Sequence, residues 1–312
     1  MAVVLLLGGL CLLILPFVIR RPGRRLAPAE WVRLSAGLLG GGAVVFELAL
    51  ALIALPTVAR AAGLHELAHV CERILGIKAA GTGPAGWAAA TAAVGLPLLA
   101  FRGAVRAWRT QRRFRIEPEL GRHEPYGRYE LVVLPTDALL ALSVSGRPGQ
   151  IVLSQGLVDV VSPAELGAVV RHEAAHLAHG HHRVLILAAA VEASLGRLPL
   201  VRRSVRALRT GLERWADEDA AGGHQTGRST VRNALVGVAL AVVDPAVAAF
   251  GGVDGVVERL DALQAPTPNP TIFRRIAIYT PVIIVAAAIL VAVGVWLGHT
   301  RAMLLLGSPC SS

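Results

Sequence analysis

Apolar positions run almost unbroken through the first third of the chain. Residues 1–19 carry no charged side chain, residues 34–58 carry only Glu47, and residues 86–101 carry none. At about 1.5 Å rise per residue, helices of such lengths can cross or nearly cross a hydrocarbon core about 30 Å thick. Residues 276–297 form a fourth such run, with Pro281 as an expected kink. Between the third and fourth runs the pattern changes. Arg128–Pro135 reads as a strand, and 140–145 with 150–154 read as a hairpin around Gly146-Arg147-Pro148-Gly149. From Pro163 towards Gly180 the chain then switches to helical spacing, with Leu166, Val169, Val170 and Leu177 on one face. Ser162-Pro163-Ala164-Glu165 fits a capping box with proline at the first helical position, and Gly180 is a plausible stop.

Further along, residues 184–200 are apolar but interrupted by Glu192 and Pro199. Residues 212–221 read as a polar helix ending at Gly222-Gly223. Residues 231–243 are apolar but too short to span, residues 256–263 are amphipathic, and 264–270 form a proline-rich break. The pattern predicts an α-helical membrane protein of about four transmembrane helices with an inserted α+β domain. Its parts are a membrane region over 1–101 (spans at about 1–19, 34–58 and 86–101), a folded domain over 102–275, a last span over 276–297 and a tail over 298–312. Residues 59–84 are expected as an outer loop.

Composition agrees with a membrane protein. Of the 312 residues 54% are hydrophobic, and the mean hydropathy is +0.58. The net charge of +10 comes almost wholly from arginine, since Lys78 is the sole lysine. The arginines cluster beside the apolar runs, at 20–25, at 102–115 and at 274–275, as the positive-inside rule expects of cytoplasmic flanks. That favours lipid over direct nucleic-acid contact, and it places the N-terminus outside and the domain in the cytoplasm of an inner (plasma) membrane. A signal peptide is the alternative for 1–19, but no basic segment precedes the run and no small-x-small site follows it. Cys11, Cys71 and Cys310 do not make a disulfide framework, although Cys71 and Cys310 would both face outward.

The chemistry centres on His172-Glu173-Ala174-Ala175-His176. On a helix, i and i+4 share a face, so two imidazoles can hold one zinc ion. The Glu after the first His then stands as general base towards a water whose pKa the metal lowers. A catalytic zinc takes three protein ligands and leaves one position open. Glu213-Arg214-Trp215-Ala216-Asp217 supplies a carboxylate pair at i and i+4, with Glu213 as third ligand and Asp217 fixing the tautomer of a ligand histidine. If 184–200 crossed the bilayer, Glu213 would lie on the far side from His176. That stretch is therefore expected as a buried, interfacial or re-entrant helix.

A second H-E-x-x-H, His65-Glu66-Leu67-Ala68-His69, has no E-x-x-x-D after it before the next span. Plain loop chemistry is the reading adopted for it. His179, His181 and His182 are read as a polar helix end near the metal. Glu47, inside a span, is a functional candidate or a packing group.

These residues resemble a known family. Ile151–Val158, Ser162-x-x-Glu165-Leu166, Arg171-His-Glu-x-x-His176-x-x-x-Gly180-His181 and Glu213-x-x-x-Asp217-x-x-Ala220 are similar to integral-membrane zinc peptidases of the β-lactam-sensor antirepressor type. More distantly they resemble membrane proteases of the prenylated-protein-processing and heat-shock class. The resemblance is specific over 131–221 and implies a minimal gluzincin fold, whose edge strand, at 140–145, pairs with substrate backbone. It implies one Zn2+ per chain on His172, His176 and Glu213, with Glu173 and Asp217 catalytic. Arg259, in Val257-Glu-Arg-Leu-x-x-Leu263, is the candidate for stabilising an oxyanion. The antirepressor type carries an outer penicillin-binding domain. None is expected here, so β-lactam sensing is not carried over.

The expected function is thus a membrane zinc endopeptidase cutting a protein at the cytoplasmic side, with a transcriptional repressor as the substrate the resemblance suggests. A housekeeping protease of membrane-protein quality control is a variant of that reading. Two rivals stand beside it. One is a non-catalytic signalling or scaffold protein with a closed zinc site, in which His179 would be the fourth ligand. The other is a metal transporter or sensor using Glu47, the histidine cluster and the outer HELAH.

Overall fold

The computed structural model describes residues 2–19, 26–75, 83–113, 120–241 and 253–265, with 283 and 294 as single positions. The expected last span, the tail and Cys310 lie outside the described residues. Four helices precede a small sheet: α1 (Ala2–Val18), α2 (Pro28–Ala61), α3 (His65–Leu75) and α4 (Pro84–Arg113). The sheet strands are β1 (Arg122–Tyr126), β2 (Tyr129–Leu134), β3 (Ala141–Val144) and β4 (Gly149–Ser154). Then come α5 (Gln155–Val160), α6 (Pro163–Ala178), α7 (His181–Leu195), α8 (Pro199–Ala221), α9 (Gln225–Ala241) and α10 (Val253–Gln264).

By length and composition α2 and α4 can each cross a membrane, and α1 is a shorter apolar helix. Their outer faces leave large side chains bare. Val94, Leu98 and Phe101 of α4 are 64%, 57% and 67% exposed, and Val44 of α2 is 68% exposed. Contiguous apolar surface of this kind marks a lipid or partner interface. α1 packs along α2, and Gly9 and Gly42 allow the two backbones to touch, since a Cβ on Gly9 would lie 2.6 Å from the Phe46 nitrogen.

The segment expected as an outer loop is in part a helix. In α3 one face buries Ala68 and Cys71, while His65, Glu66 and His69 lie on the exposed face. An ion pair joins Glu72 to Arg60 at the end of α2. Alternation of apolar and polar residues at helical spacing specifies this helix, and the H-E-x-x-H pattern is incidental to it.

The sheet order is β1-β2-β4-β3. β2 and β4 pair in parallel, and β1 and β3 add antiparallel at the two edges. The hairpin read at 140–154 is present. β1 escaped the sequence reading because Arg122-His-Glu-Pro-Tyr126 is polar and contains Pro125. A proline is tolerated only where no ladder hydrogen bond is needed, which is what an edge strand offers. Gly127, at φ +57°, turns the chain between β1 and β2. Ile151, Leu153, Leu157 and Val170 form the core between sheet and α6.

α7 is 15 residues long and stops at Gly196 before Pro199. That is about 22 Å at 1.5 Å per residue, short of a bilayer. Ala188, Val191 and Leu195 of α7 join Leu38 and Leu39 of α2 and Val205, Leu208 and Leu212 of α8 in one core. α8 begins at Pro199, thirteen residues before the polar segment foreseen, because its first turns are amphipathic and bury Val201, Val205 and Leu208.

α7 meets α4 at Gly103, where a Cβ would lie 2.5 Å from that of Ala193 and 2.7 Å from the Ala189 carbonyl oxygen. Gly103→Val must therefore push α4 and α7 apart. We expect a loss of about 1–3 kcal/mol, the usual cost of overpacking, read as a lower thermal midpoint of the detergent-purified chain.

Candidate metal centre

α6 is fixed at its start and its middle before it presents any chemistry. Ser162 caps it by accepting from the Glu165 backbone N–H, and the Glu165 carboxylate accepts from the Ser162 N–H at 2.9 Å. The Ser162 hydroxyl and backbone N–H, both donating to the Glu165 carboxylate, hold its carboxyl below the usual range. At the middle of α6, Arg171 Nε donates to the Ala220 carbonyl at 2.9 Å, one of the last carbonyls of α8. Ala168 of α6 packs on Ala220 and Ala221, and these small side chains let the two helices approach closely.

This approach brings His172 and His176 of α6 to Glu213 of α8. The two Nε2 atoms lie 3.2 Å apart, and carboxylate oxygens of Glu213 lie 3.5 Å from the first and 3.7 Å from the second. Tetrahedral coordination at about 2.0–2.1 Å separates ligand atoms by roughly 3.3 Å. One donor atom from each of the three residues lies within 4.8 Å of the other two, close enough to gather about one ion. Among the described residues this is the one group of three or more metal-type donors that converges. Glu213 keeps 39% of its side chain exposed, so the group is open to solvent on its carboxylate side.

Behind His172 stands Asp217. Its Oδ1 lies 3.0 Å from His172 Nδ1, so the imidazole donates there and turns Nε2 to the centre. Asp217 is 1% exposed, and Arg259 of α10 grips it with Nε and Nη2 at 2.8 and 2.7 Å. Arg259 Nη1 also lies 3.3 Å from Glu213. α10 is held in turn by Arg228 of α9. Its buried guanidinium donates to the carbonyls of Ala262 and Ala265 and to Glu218. The Arg228–Ala262 and Arg228–Ala265 contacts hold the helix that carries Arg259.

The electrostatics follow from these contacts. Burial pulls His172 down, but the hydrogen bonds to Asp217 and Glu213 outweigh it and push it up to about 10. The two carboxylates therefore favour a cation at His172 Nε2, whether a proton or a metal ion. Close surroundings raise Glu213, and the hydrogen bond from His172 with the charges of Arg259 and His176 holds it well below the carboxylate range. Burial likewise raises Asp217, and Arg259 and His172 outweigh it, so its carboxyl is lowered. Arg259 is raised overall, its burial outweighed by Asp217. Burial, with the charges of His172 and Arg259, lowers His176 and leaves it neutral, the state a ligand needs. Glu173 follows His172 on α6 and is half-buried.

Two residues near the centre escaped the sequence reading. His181, set aside as part of a polar helix end, is fully buried with Nδ1 2.9 Å from His176 Nδ1. Burial and the neighbouring histidines push it down to about 3, so it is neutral. Trp215, between Glu213 and Asp217, stacks on His179 at 4.5 Å and takes Arg33 of α2 over its ring at 5.3 Å. The only signal for either was nearness in sequence to the motifs. His179 itself pairs with Asp219 at 2.8 Å and lies outside the donors that converge among the described residues. The outer His65 and His69 gather no third donor among the described residues.

Metal analysis of the detergent-purified chain is expected to find one zinc in the wild type and a large loss in Glu213→Ala. Asp217→Asn, which keeps the shape but weakens the acceptor, is expected to lower zinc affinity roughly 10–100-fold. Undiminished zinc in Glu213→Ala would exclude it as the third ligand.

No curated protein and no solved structure matches the chain. Residues 111–252 match the family model of Peptidase family M48. The match covers β1 to α9 and includes His172, Glu173, His176, Glu213 and Asp217. Through the domain that carries this centre, the chain is similar to peptidase family M48.

Proposed function

We propose that this metallopeptidase is a membrane-anchored zinc endopeptidase that hydrolyses a protein substrate at the cytoplasmic face. The observation that carries the reading is the convergence of His172, His176 and Glu213, whose ligand atoms lie within 4.8 Å of one another, with Glu173 next to the first ligand. When bound there, zinc supplies Lewis-acid polarisation and lowers the pKa of a coordinated water.

The chain's own residues do the rest. Glu173 takes the proton of the attacking water and returns it to the leaving amine nitrogen as the C–N bond breaks. Its negative charge acts on both His176 and Arg259. Asp217 holds the His172 ring by its Nδ1–H. A guanidinium has five N–H donors, so Arg259, while engaged with Asp217 and Glu213, keeps donors for the developing oxyanion. β3 is an edge strand and lies against α6. Its free edge gives an extended substrate a ladder of backbone hydrogen bonds beside the metal helix.

Membrane anchoring is supported by the length and apolarity of α2 and α4 and by their bare apolar faces. The arginines of α4 at 102, 106 and 109 follow its apolar part, which supports a cytoplasmic domain. With α1 and the run at 276–297 as further spans, the N-terminus is outside. A regulated repressor is the substrate class that the sequence resemblance suggests.

Glu173→Gln keeps the side-chain volume and removes the base. Loss of a general base costs typically 10²–10⁴-fold in rate. We expect peptide hydrolysis to fall by at least that factor, with zinc content unchanged. Wild-type turnover in Glu173→Gln would refute the mechanism. In cells, comparing the protein complement of deletion and wild-type strains separates the cases. One accumulated protein supports a regulatory substrate, and many accumulated membrane proteins support quality control.

A further inference from the structure

Both ring nitrogens of His176 are committed. Nε2 faces His172 Nε2 at 3.2 Å and Glu213 at 3.7 Å. Nδ1 lies 2.9 Å from Nδ1 of His181. A neutral imidazole has one N–H and one lone pair. For Nε2 to offer its lone pair to a metal, the proton must sit on Nδ1, and then His181 Nδ1 must accept it. That contact fixes His181 as well, with its own proton on Nε2.

We propose that His181 is the positioning residue of His176: its Nδ1 accepts the His176 N–H and so sets the tautomer and ring plane of the second metal ligand. The inference rests on the metallopeptidase reading above. It gives each ligand histidine its own partner, Asp217 for His172 and His181 for His176.

Several observations shape this role. Gly180, at φ +63°, reverses the chain after α6 and sets His181 at the first position of α7. A residue with a Cβ rarely adopts that backbone, so the reversal depends on glycine. The His181 ring stands at 88° to that of His176, with centroids 4.8 Å apart, an edge approach that aims nitrogen at nitrogen. Trp215 packs on His181 at 4.9 Å and His179 stacks at 5.8 Å, which restrain its ring. His181 is wholly buried, and its Nε2 has no hydrogen-bond partner among the described residues. A buried N–H without a partner costs about 1–3 kcal/mol. A residue that only filled space here would be better as an apolar ring. The Nδ1 contact is what an imidazole adds. A neutral acceptor also adds no further negative charge to a centre that already holds Asp217, Glu213 and Glu173, so the metal's Lewis acidity is preserved.

The test uses the full chain in detergent, with zinc affinity from chelator competition and the thermal midpoint of the metal-free protein. His181→Phe keeps a ring against Trp215 and removes the acceptor. His181→Asn keeps an oxygen close to the place of Nδ1. The Phe variant is expected to bind zinc roughly 10–100-fold more weakly, the usual cost of losing such a partner, at an undiminished metal-free midpoint. The Asn variant is expected to recover most of that loss. Wild-type affinity in the Phe variant would overturn the proposal.

Should the Phe variant not fold, cobalt-loaded wild type decides the matter by proton NMR. Two slowly exchanging, metal-shifted imidazole N–H signals support two buried acceptors, and a single one overturns the proposal. Absence of metal binding in the wild type would instead remove the metallopeptidase reading, and this inference with it.

Discussion

Two imidazoles on one helix and a carboxylate on another must meet within the radius of a single ion, and much of the domain is arranged to make that meeting rigid. The ligand atoms need to stay within a few tenths of an ångström of tetrahedral spacing, a tolerance that exposed side chains do not hold by themselves. The structure answers with a chain of contacts, exposed at the start of α6 and buried behind His172. Glu165 and Ser162 start α6, Arg171 ties its middle to the end of α8, Asp217 turns His172, and Arg259 grips Asp217. Arg228 then holds the helix that brings Arg259 in. Breaking one of these buried charged links would strand its partner, which makes the network cooperative.

The membrane-type helices take part in the same arrangement. α2 contributes Leu38 and Leu39 to the core shared with α7 and α8, and Trp31 of α2 closes on Gly211, where a Cβ would meet its ring at 2.7 Å. Arg33, two residues on, lies over Trp215, which in turn packs on His179 and His181. The centre therefore sits one layer of side chains from the start of a span-length helix. The domain is packed onto the helical bundle, and a change in how α2 lies would be felt at Trp215 before it reached the ligands.

Much of this centre was legible in the chain. His172, His176, Glu213 and Asp217 announce themselves because i and i+4 spacing is set by helix geometry, whatever surrounds the helix. Ser162 and Glu165 did so for the same reason, and β2 to β4 were readable from alternation and the glycine-proline turn. What was not legible depends on tertiary placement. β1 carries a proline and few apolar residues, and only its position at the sheet edge makes it a strand. His181 looked like one of several surface histidines, and nothing local says that Gly180 would turn it back onto His176. Arg259 could be named, but its grip on Asp217 could not, since 42 residues separate them.

The central claim is that two histidines and one glutamate hold a single zinc and leave it open. X-ray absorption at the zinc edge of the purified, zinc-loaded chain tests it most directly. The account predicts two imidazole nitrogens and oxygen ligands at about 2.0–2.2 Å, with no sulfur. Three or four imidazoles on the ion, or a shell closed by protein donors alone, would contradict it.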